Sequence, residues 1–211
     1  LLRGLLDRVV GQEVVALQLT EEVPWFAQQD PAWRKYVAPR KVPTVSIEEA
    51  LVTLEEAARA PAVKAVSLTL DRAALSLAQA EVLLDAIDRV KAAGKKVLVW
   101  ADGLGGPGLM VASAADKAYA VPIGQLHFLG IRVRAVFVHD LLSILGVVPQ
   151  MDHHGNYKTM SDMFMRRTMS PAHEEMSKDL GSDLYEQLLT PLIMGRGLTR
   201  EEAVAALDDG P

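Results

Sequence analysis

One lysine in the second half of the sequence has the neighbours that base catalysis requires. Lys158 stands in "HGNYKTMSDMF", residues 154–164, between Tyr157 and Thr159. A lysine acts as a base near neutral pH only when burial lowers its pKa from about 10.4 by two units or more. Tyr157 and the apolar residues that follow offer such surroundings, and Thr159 offers a hydroxyl partner. The segment makes Lys158 a candidate general base, although most lysines are solvated surface charges.

A lysine base needs a nucleophile, and the sequence offers a weak one. Ser113, in "VASAAD", lies among small residues of a predicted apolar helix, where serine usually packs, and no Gly-x-Ser-x-Gly turn surrounds it. The preceding "DGLGGPG", residues 102–108, matches neither the Gly-Lys-Ser/Thr phosphate loop nor the dinucleotide pattern with its downstream acid. We interpret it as a tight turn where the backbone passes close to another segment, and we expect no cofactor.

Histidine and aspartate residues occur together between residues 139 and 154 without the spacing of a metal site. They are His139, Asp140, Asp152, His153 and His154. Neighbouring residues of a strand point to opposite faces, so the last two histidines cannot easily share an ion. No His-Glu-x-x-His motif is present. The sequence predicts no metal site.

Composition limits the class of protein. The chain has 211 residues, of which 50% are hydrophobic and 23% charged, as in a globular domain with a buried core. The net charge of −5 argues against a nucleic-acid partner. The absence of cysteine excludes disulfides and thiolate catalysis within this chain. The sequence contains no run of about 18 apolar residues, so it predicts no membrane-spanning helix.

The first 45 residues differ in character from the rest. "LLRGLLDRVVGQ" is amphipathic and predicts a helix that packs on its own domain or a neighbour, or that lies on a membrane surface. A strand at 13–19 and an arm at 21–45 with four prolines and two tryptophans follow. We therefore predict an N-terminal segment, 1–45, and a main domain, 46–211. The sequence at both ends suggests a piece of a longer protein.

Strands and helices alternate through the main domain. A capping box, Ser46 to Glu49, predicts a helix start, and Gly94 a helix end. Strands are predicted at 62–70, 95–101 and 147–152. Ser170-Pro171 predicts the start of a long helix, and Thr199 to Glu202 caps a last short one. The alternation predicts an α/β fold around a buried parallel sheet.

The sequence resembles the signal peptide peptidase (protease IV) family from about residue 46 to 210. The matching segments are "ASAADKAYAVPIG", "LLSILGV", "GNYKT", "RRTMSP" and "RGLTREEAVAALDDG". The resemblance implies a crotonase-like (ClpP/crotonase) spiral of βαβ units with a C-terminal helical segment. It implies a Ser–Lys dyad that cleaves signal peptides or membrane-associated peptides. It also implies a homo-oligomer in the cell envelope, on the extracytoplasmic side of a bacterial inner membrane, attached through sequence outside this chain.

The resemblance carries over the base but not the nucleophile. Lys158 matches the family's lysine, with Tyr157 and Thr159 as orienting neighbours. The position of the serine falls on Gly106, which has no side chain, and "DRAAL" at 71–75 replaces the expected oxyanion glycine turn. Long family members carry two copies of the fold, and their first copy keeps the lysine and lacks the serine. We therefore expect a second, serine-bearing repeat or subunit as partner, and an inactive isolated chain.

Two other functions remain open. A catalytically dead crotonase-like module would serve oligomerisation or substrate binding, with the arm at 21–45 and the helix end "LLTPLIMGRG" as contact surfaces. A crotonase-type acyl-CoA enzyme shares only the fold, and fold alone does not give function. The sequence shows neither paired carboxylates nor clear oxyanion amides for that reaction.

Overall fold

The structure is a computed structural model that describes residues 13–27, 45–127 and 130–208. The chain divides into a first unit, residues 1–129 and 188–211, and a second unit, residues 130–187. The predicted N-terminal helix and most of the proline-containing arm lie outside the described residues. The predicted boundary at residue 45 adjoins such a gap and stays a prediction.

A four-stranded parallel sheet forms the centre of the first unit. The strands are β1 (Val14–Glu22), β2 (Ala65–Ala74), β3 (Lys96–Gly105) and β4 (Lys117–His127). They lie in the order β1-β2-β3-β4, each parallel to the next. The prediction of an α/β fold with a parallel sheet is confirmed. β1 runs to Glu22, so it includes the first residues of the predicted arm.

Three helices connect successive strands and begin at local signals in the sequence. They are α1 (Ile47–Arg59), α2 (Leu77–Ala92) and α3 (Gly106–Ala114). The predicted capping box is present at α1, where the Ser46 Oγ accepts from the Glu49 N–H at 3.2 Å and a Glu49 oxygen accepts from the Ser46 N–H at 3.0 Å. Gly94 follows α2 with φ of 77°, a conformation that glycine adopts readily.

The core lies on one face of the sheet. Alternate side chains of the first three strands are buried: Val15, Leu17, Leu19, Val66, Leu68, Leu70, Val97, Val99 and Ala101. Helices α2 and α3 contact β3, and α1 packs on α2. On the opposite face Val14, Trp100 and Tyr119 stay exposed, with the two rings stacked 6.2 Å apart. The predicted burial of the sheet therefore holds for one face of this chain.

A buried lysine side chain caps the C-terminal end of α1. The Lys95 ammonium donates to the carbonyl oxygens of Ala57 and Ala60, and only 9% of the residue is exposed. Burial lowers the pKa of Lys95. The last carbonyls of a helix have no partner within the helix. The Ala60 carbonyl also accepts from the Val63 N–H, so the charged donor matters most for the buried Ala57 carbonyl.

Replacing Lys95 with methionine should lower the free energy of unfolding by about 1–3 kcal/mol, because the buried Ala57 carbonyl loses its donor. Urea unfolding monitored by circular dichroism measures this. Lys96→Met is the matched control, since that side chain is exposed and pairs with Asp116 at 2.8 Å. It should cost at most about 1 kcal/mol. Equal losses for the two variants would contradict the role of Lys95.

The second unit contains short helices and irregular segments. It holds α4 (His139–Ile144), a 3₁₀ turn (Thr159–Ser161), α5 (Asp162–Met165) and residues 171–187 of the long helix α6 (Pro171–Arg196). The strand predicted at 147–152 is wrong, because these residues form no regular structure. Pro149 lacks an amide hydrogen, and this stretch pairs with no strand of the described sheet.

Burial in the second unit is confined to polar residues. Of residues 130–187, the buried ones are Thr159, Ser161, Asp162 and His173. Large apolar side chains of the same unit are exposed: Val133, Val136, Leu141, Ile144, Leu145, Val147, Val148, Met151, Met160, Met165, Met176 and Leu180. This unit has no buried apolar core in the single chain.

The end of α6 and helix α7 (Arg200–Asp208) belong to the first unit. Pro191 lies inside α6 without ending it. Near the helix end, the Arg196 guanidinium donates to the Ala112 carbonyl of α3 at 2.7 Å. The predicted cap of the last helix is confirmed, since Thr199 Oγ1 accepts from the Glu202 N–H at 3.2 Å and Glu202 accepts from the Thr199 N–H at 2.8 Å.

Candidate active site

Lys158 lies on an exposed turn of the second unit. Gly155, with φ of 90°, reverses the chain, and the Lys158 N–H points to the Gly155 carbonyl at 3.5 Å. Lys158 then precedes the 3₁₀ turn Thr159–Ser161. Its side chain is exposed, as are Tyr157 (58%) and Met160 (69%). The apolar surroundings that a lysine base requires are therefore not complete around it in the single chain.

The two predicted orienting neighbours take different positions. The Tyr157 hydroxyl donates to Glu175 Oε2 at 3.0 Å, and this hydrogen bond raises the pKa of Tyr157. Thr159 is buried at the start of the 3₁₀ turn. Tyr157 thus binds the second turn of α6, and Thr159 is buried directly after Lys158. Their effect on the lysine itself stays a prediction.

A polar cluster that sequence reasoning missed lies next to this turn. Asp162 is 7% exposed, and its Oδ2 accepts from the Ser170 N–H at 3.2 Å and from the Ser170 hydroxyl. Its other oxygen lies 3.5 Å from the Arg166 Nε. His173 Nδ1 lies 3.5 Å from Asp162 Oδ2 and makes no hydrogen bond there. The Ser170-Pro171 helix start was visible in the sequence, but its link to Asp162 was not.

Burial raises the pKa of Asp162, but the hydrogen bonds from Ser170 and the charges of Arg166 and His173 lower it, and the net effect is a lowered pKa. The carboxyl group is therefore ionised at neutral pH. An ionised, buried carboxylate with several donors is an anchor for the backbone segments that supply those donors.

Gly106, where the resemblance predicts the position of the serine, is the first residue of a helix. β3 ends at Gly105, which caps α3, and Gly106 and Pro107 form its first turn. A Cβ at Gly106 would lie 3.3 Å from Leu188 Cδ2. The tight turn interpreted from the sequence at 102–108 is wrong, because β3 continues to Gly105 and the helix begins at Gly106. The close approach to a neighbouring segment is present at Leu188. Gly106 belongs to the first unit, and Lys158 to the second.

Ser113 has a structural environment. It is 2% exposed, and its hydroxyl donates to the Met110 carbonyl of the same helix at 2.7 Å. A serine hydroxyl bound to the backbone three residues before it is occupied by the helix. The structure supports the interpretation of Ser113 as a packing residue.

The end of β2, where the resemblance implies a glycine turn, holds an unusual backbone conformation. Arg72 has φ of 50°, the one positive value among non-glycine residues of the described ranges. The Asp102 carboxylate accepts from the Arg72 N–H at 2.9 Å, and this bond lowers the pKa of Asp102. The left-handed conformation expected of a glycine turn is thus present, although arginine occupies it and Asp102 holds its amide.

The histidines make local contacts. His139 Nδ1 lies 2.9 Å from Asp140 Oδ1, and His153 Nδ1 lies 3.1 Å from the Gly155 carbonyl oxygen. Across the described ranges, no group of three or more His, Asp or Glu residues is placed to hold a metal ion. Over the same ranges, no helix combines the length and the apolar character needed to cross a bilayer.

Comparison with known proteins places the chain among peptidases. The profile of Peptidase family S49 matches residues 89–208, more than half of the chain, from within α2 to the end of α7. "Protease 4" of Haemophilus influenzae is 29% identical over 145 residues, which cover 68% of this chain and 23% of that protein. "Serine protease SPPA, chloroplastic" of Arabidopsis thaliana is 24% identical over 155 residues, covering 74% and 23%. The matched region thus spans about 23% of the length of each relative.

Proposed function

Because the chain belongs to peptidase family S49, we propose that it is part of a serine peptidase in which Lys158 is the general base and the nucleophilic serine lies on sequence outside this chain. The proposal is supported by Lys158 on an exposed turn and by glycine at residue 106, where the resemblance predicts the serine. Lys158 and that serine would then form the catalytic dyad together.

The chemistry requires that the second part cover Lys158. A lysine in water keeps its proton at neutral pH, and loss of that water favours the neutral amine. We propose that the serine-bearing repeat or subunit buries the turn at 155–161 when it docks. The neutral amine then takes the serine proton as the hydroxyl attacks the peptide carbonyl, and backbone amides stabilise the oxyanion.

The apolar surface of the second unit supports a partner of this kind. A 58-residue unit without a buried apolar side chain gains little stability from its own packing. Exposed apolar surface on this scale marks protein interfaces. We propose that a serine-bearing repeat and further copies of the chain cover it in a homo-oligomer. The successive βα units of the first unit are compatible with a crotonase-like spiral, which belongs to the same proposal.

We infer the substrate class and the cellular location from the resemblance to the family. We propose that the assembled enzyme cleaves signal peptides or membrane-associated peptides at the cell envelope, on the extracytoplasmic side of a bacterial inner membrane. Membrane attachment would come from sequence outside the chain. The names of the two relatives, a protease and a serine protease, support peptide hydrolysis.

A complementation assay tests this function. The chain alone should cleave no peptide ester or denatured protein above background, and activity should appear when it is joined to, or mixed with, the sequence that follows Pro211 in its source. Activity in the isolated chain would overturn the split dyad and direct attention to its own hydroxyl groups.

The second candidate is a catalytically dead module for oligomerisation or substrate binding. It is favoured by the exposed aromatic residues Trp25 and Phe26 at the start of the arm, which line a pocket of about 390 Å³ beside α1. The test is to mix the chain with the sequence that follows it and to measure both the mass of the complex in solution and its peptidase activity. A stable complex without activity would favour this function over the first.

A further inference from the structure

We propose that Asp162 is a positioning residue for Lys158, which it acts on by fixing the lysine-bearing turn to the start of α6. The inference rests on the proposed function, because the position of Lys158 matters to catalysis only if Lys158 is the base. The sequence assigns no role to Asp162, and the structure is what brings Ser170 to its carboxylate.

A single hydrogen-bonded turn connects Lys158 to Asp162. Thr159–Ser161 form a 3₁₀ turn that begins directly after Lys158, and the Asp162 N–H donates back to the Thr159 carbonyl. Thr159, Ser161 and Asp162 are all buried, with exposed fractions of 8%, 5% and 7%. The backbone of Lys158 therefore follows the placement of Asp162 closely.

Asp162 is in turn bound to the residue that caps α6. Its Oδ2 accepts from both the backbone and the hydroxyl of Ser170. The same hydroxyl accepts from the His173 N–H at 3.3 Å, which makes Ser170 the cap of α6. A carboxylate with donors from a helix cap gains from the positive end of the helix dipole. The buried Asp162 carboxylate thus joins the lysine-bearing turn to a helix of 26 residues.

A second bond supports the same geometry from the other side of the lysine. Tyr157, directly before Lys158, donates to Glu175 in the second turn of α6. Residues on both sides of Lys158 are therefore bound to one helix, by a buried contact at Ser170 and an exposed one at Glu175. The buried contact is the stronger, because an exposed hydrogen bond competes with water.

Asp162→Ala and Ser170→Ala, in the full protein that carries the serine, test the proposal. Displacing a reacting group by about 1 Å costs up to about 100-fold in rate. We expect kcat to fall about 10- to 100-fold, KM to change less than about twofold, and the pH dependence of kcat/KM to shift in the limb that reports the base. Ser170→Thr, which restores the hydroxyl, should recover most of kcat.

Glu174→Ala is the matched control, because Glu174 lies in the same helix start and pairs with Lys178 at 2.8 Å. It should leave kcat and the pH profile unchanged. Melting temperatures of all variants are measured, and kinetics are compared well below them. If Asp162→Ala does not fold, Ser170→Ala and Ser170→Thr decide the question.

The outcomes separate this inference from the proposed function. If Lys158→Ala retains activity, the proposed function is wrong. If Lys158→Ala is inactive while Asp162→Ala and Ser170→Ala keep the parent kcat and pH profile, the function stands and the positioning role is wrong. A loss of melting temperature alone, with kcat unchanged, also overturns the positioning role, since Asp162 would then act only on stability.

Discussion

Alanine at position 158 is expected to lower kcat of the assembled peptidase by about 10³-fold or more, with little change in KM. Loss of a general base removes stabilisation that exists only in the transition state, and members of a catalytic dyad act as a unit. Initial rates on a peptide ester, measured with the serine-bearing part present, test this. Because Lys158 is exposed in the single chain, the melting temperature of the isolated chain should not change.

The controls distinguish the base from a general loss of charge. Lys178→Ala removes another exposed lysine of the second unit, paired with Glu174, and should keep full activity. Lys158→Arg keeps the positive charge, but the guanidinium does not lose its proton and cannot act as a base. This variant should be as inactive as Lys158→Ala. An active Lys158→Arg variant would show that the charge and not proton transfer is required.

Alanine in place of Gly195 should destabilise the first unit by about 3 kcal/mol or more. A Cβ there would overlap the Ser113 carbonyl oxygen and lie 2.7 Å from its carbonyl carbon, both in the backbone of α3. Backbone atoms cannot move aside as a flexible side chain can, so α6 and α3 must separate. The separation would also break the bond from Arg196 to the Ala112 carbonyl. Urea unfolding measures the loss.

Gly181→Ala in the same helix is the matched control. A Cβ at Gly181 would make an ordinary contact of 3.5 Å with Val133 Cγ2. Alanine is more favourable than glycine inside a helix by up to about 1 kcal/mol, so this variant should be equally or more stable. If both glycine substitutions destabilise alike, the close approach of α6 and α3 is not the cause.

The elements of the fold that sequence predicts well are those with local signals. Ser46, Ser170 and Thr199 mark helix starts that the structure confirms, because a cap involves residues only three positions apart. The strand at 147–152 fails for the opposite reason. Its apolar residues fit a strand, but a strand needs a neighbour, and pairing is decided by the fold as a whole.

In the candidate site, too, features with a local signal in the sequence were predicted and features that depend on tertiary contacts were not. Lys158 was identified by its resemblance to a family motif, and its backbone turn follows from Gly155. Its exposure could not be predicted, because burial depends on what packs against the turn. Asp162 was missed because its partner, Ser170, is eight residues away, at the cap of another helix. Contacts at that separation leave no periodic pattern in the sequence.

Strand β4 has a consequence for the association of sheets between molecules. It is an edge strand of the described sheet, and Pro122 lies in its middle. Proline has no amide hydrogen to donate, and the pairing register with β3 shifts between Ala101 and Gly103. An incoming strand therefore meets an interrupted ladder at this edge. The edge is thereby protected against the strand-by-strand growth that leads to aggregation, although most of its side chains are exposed.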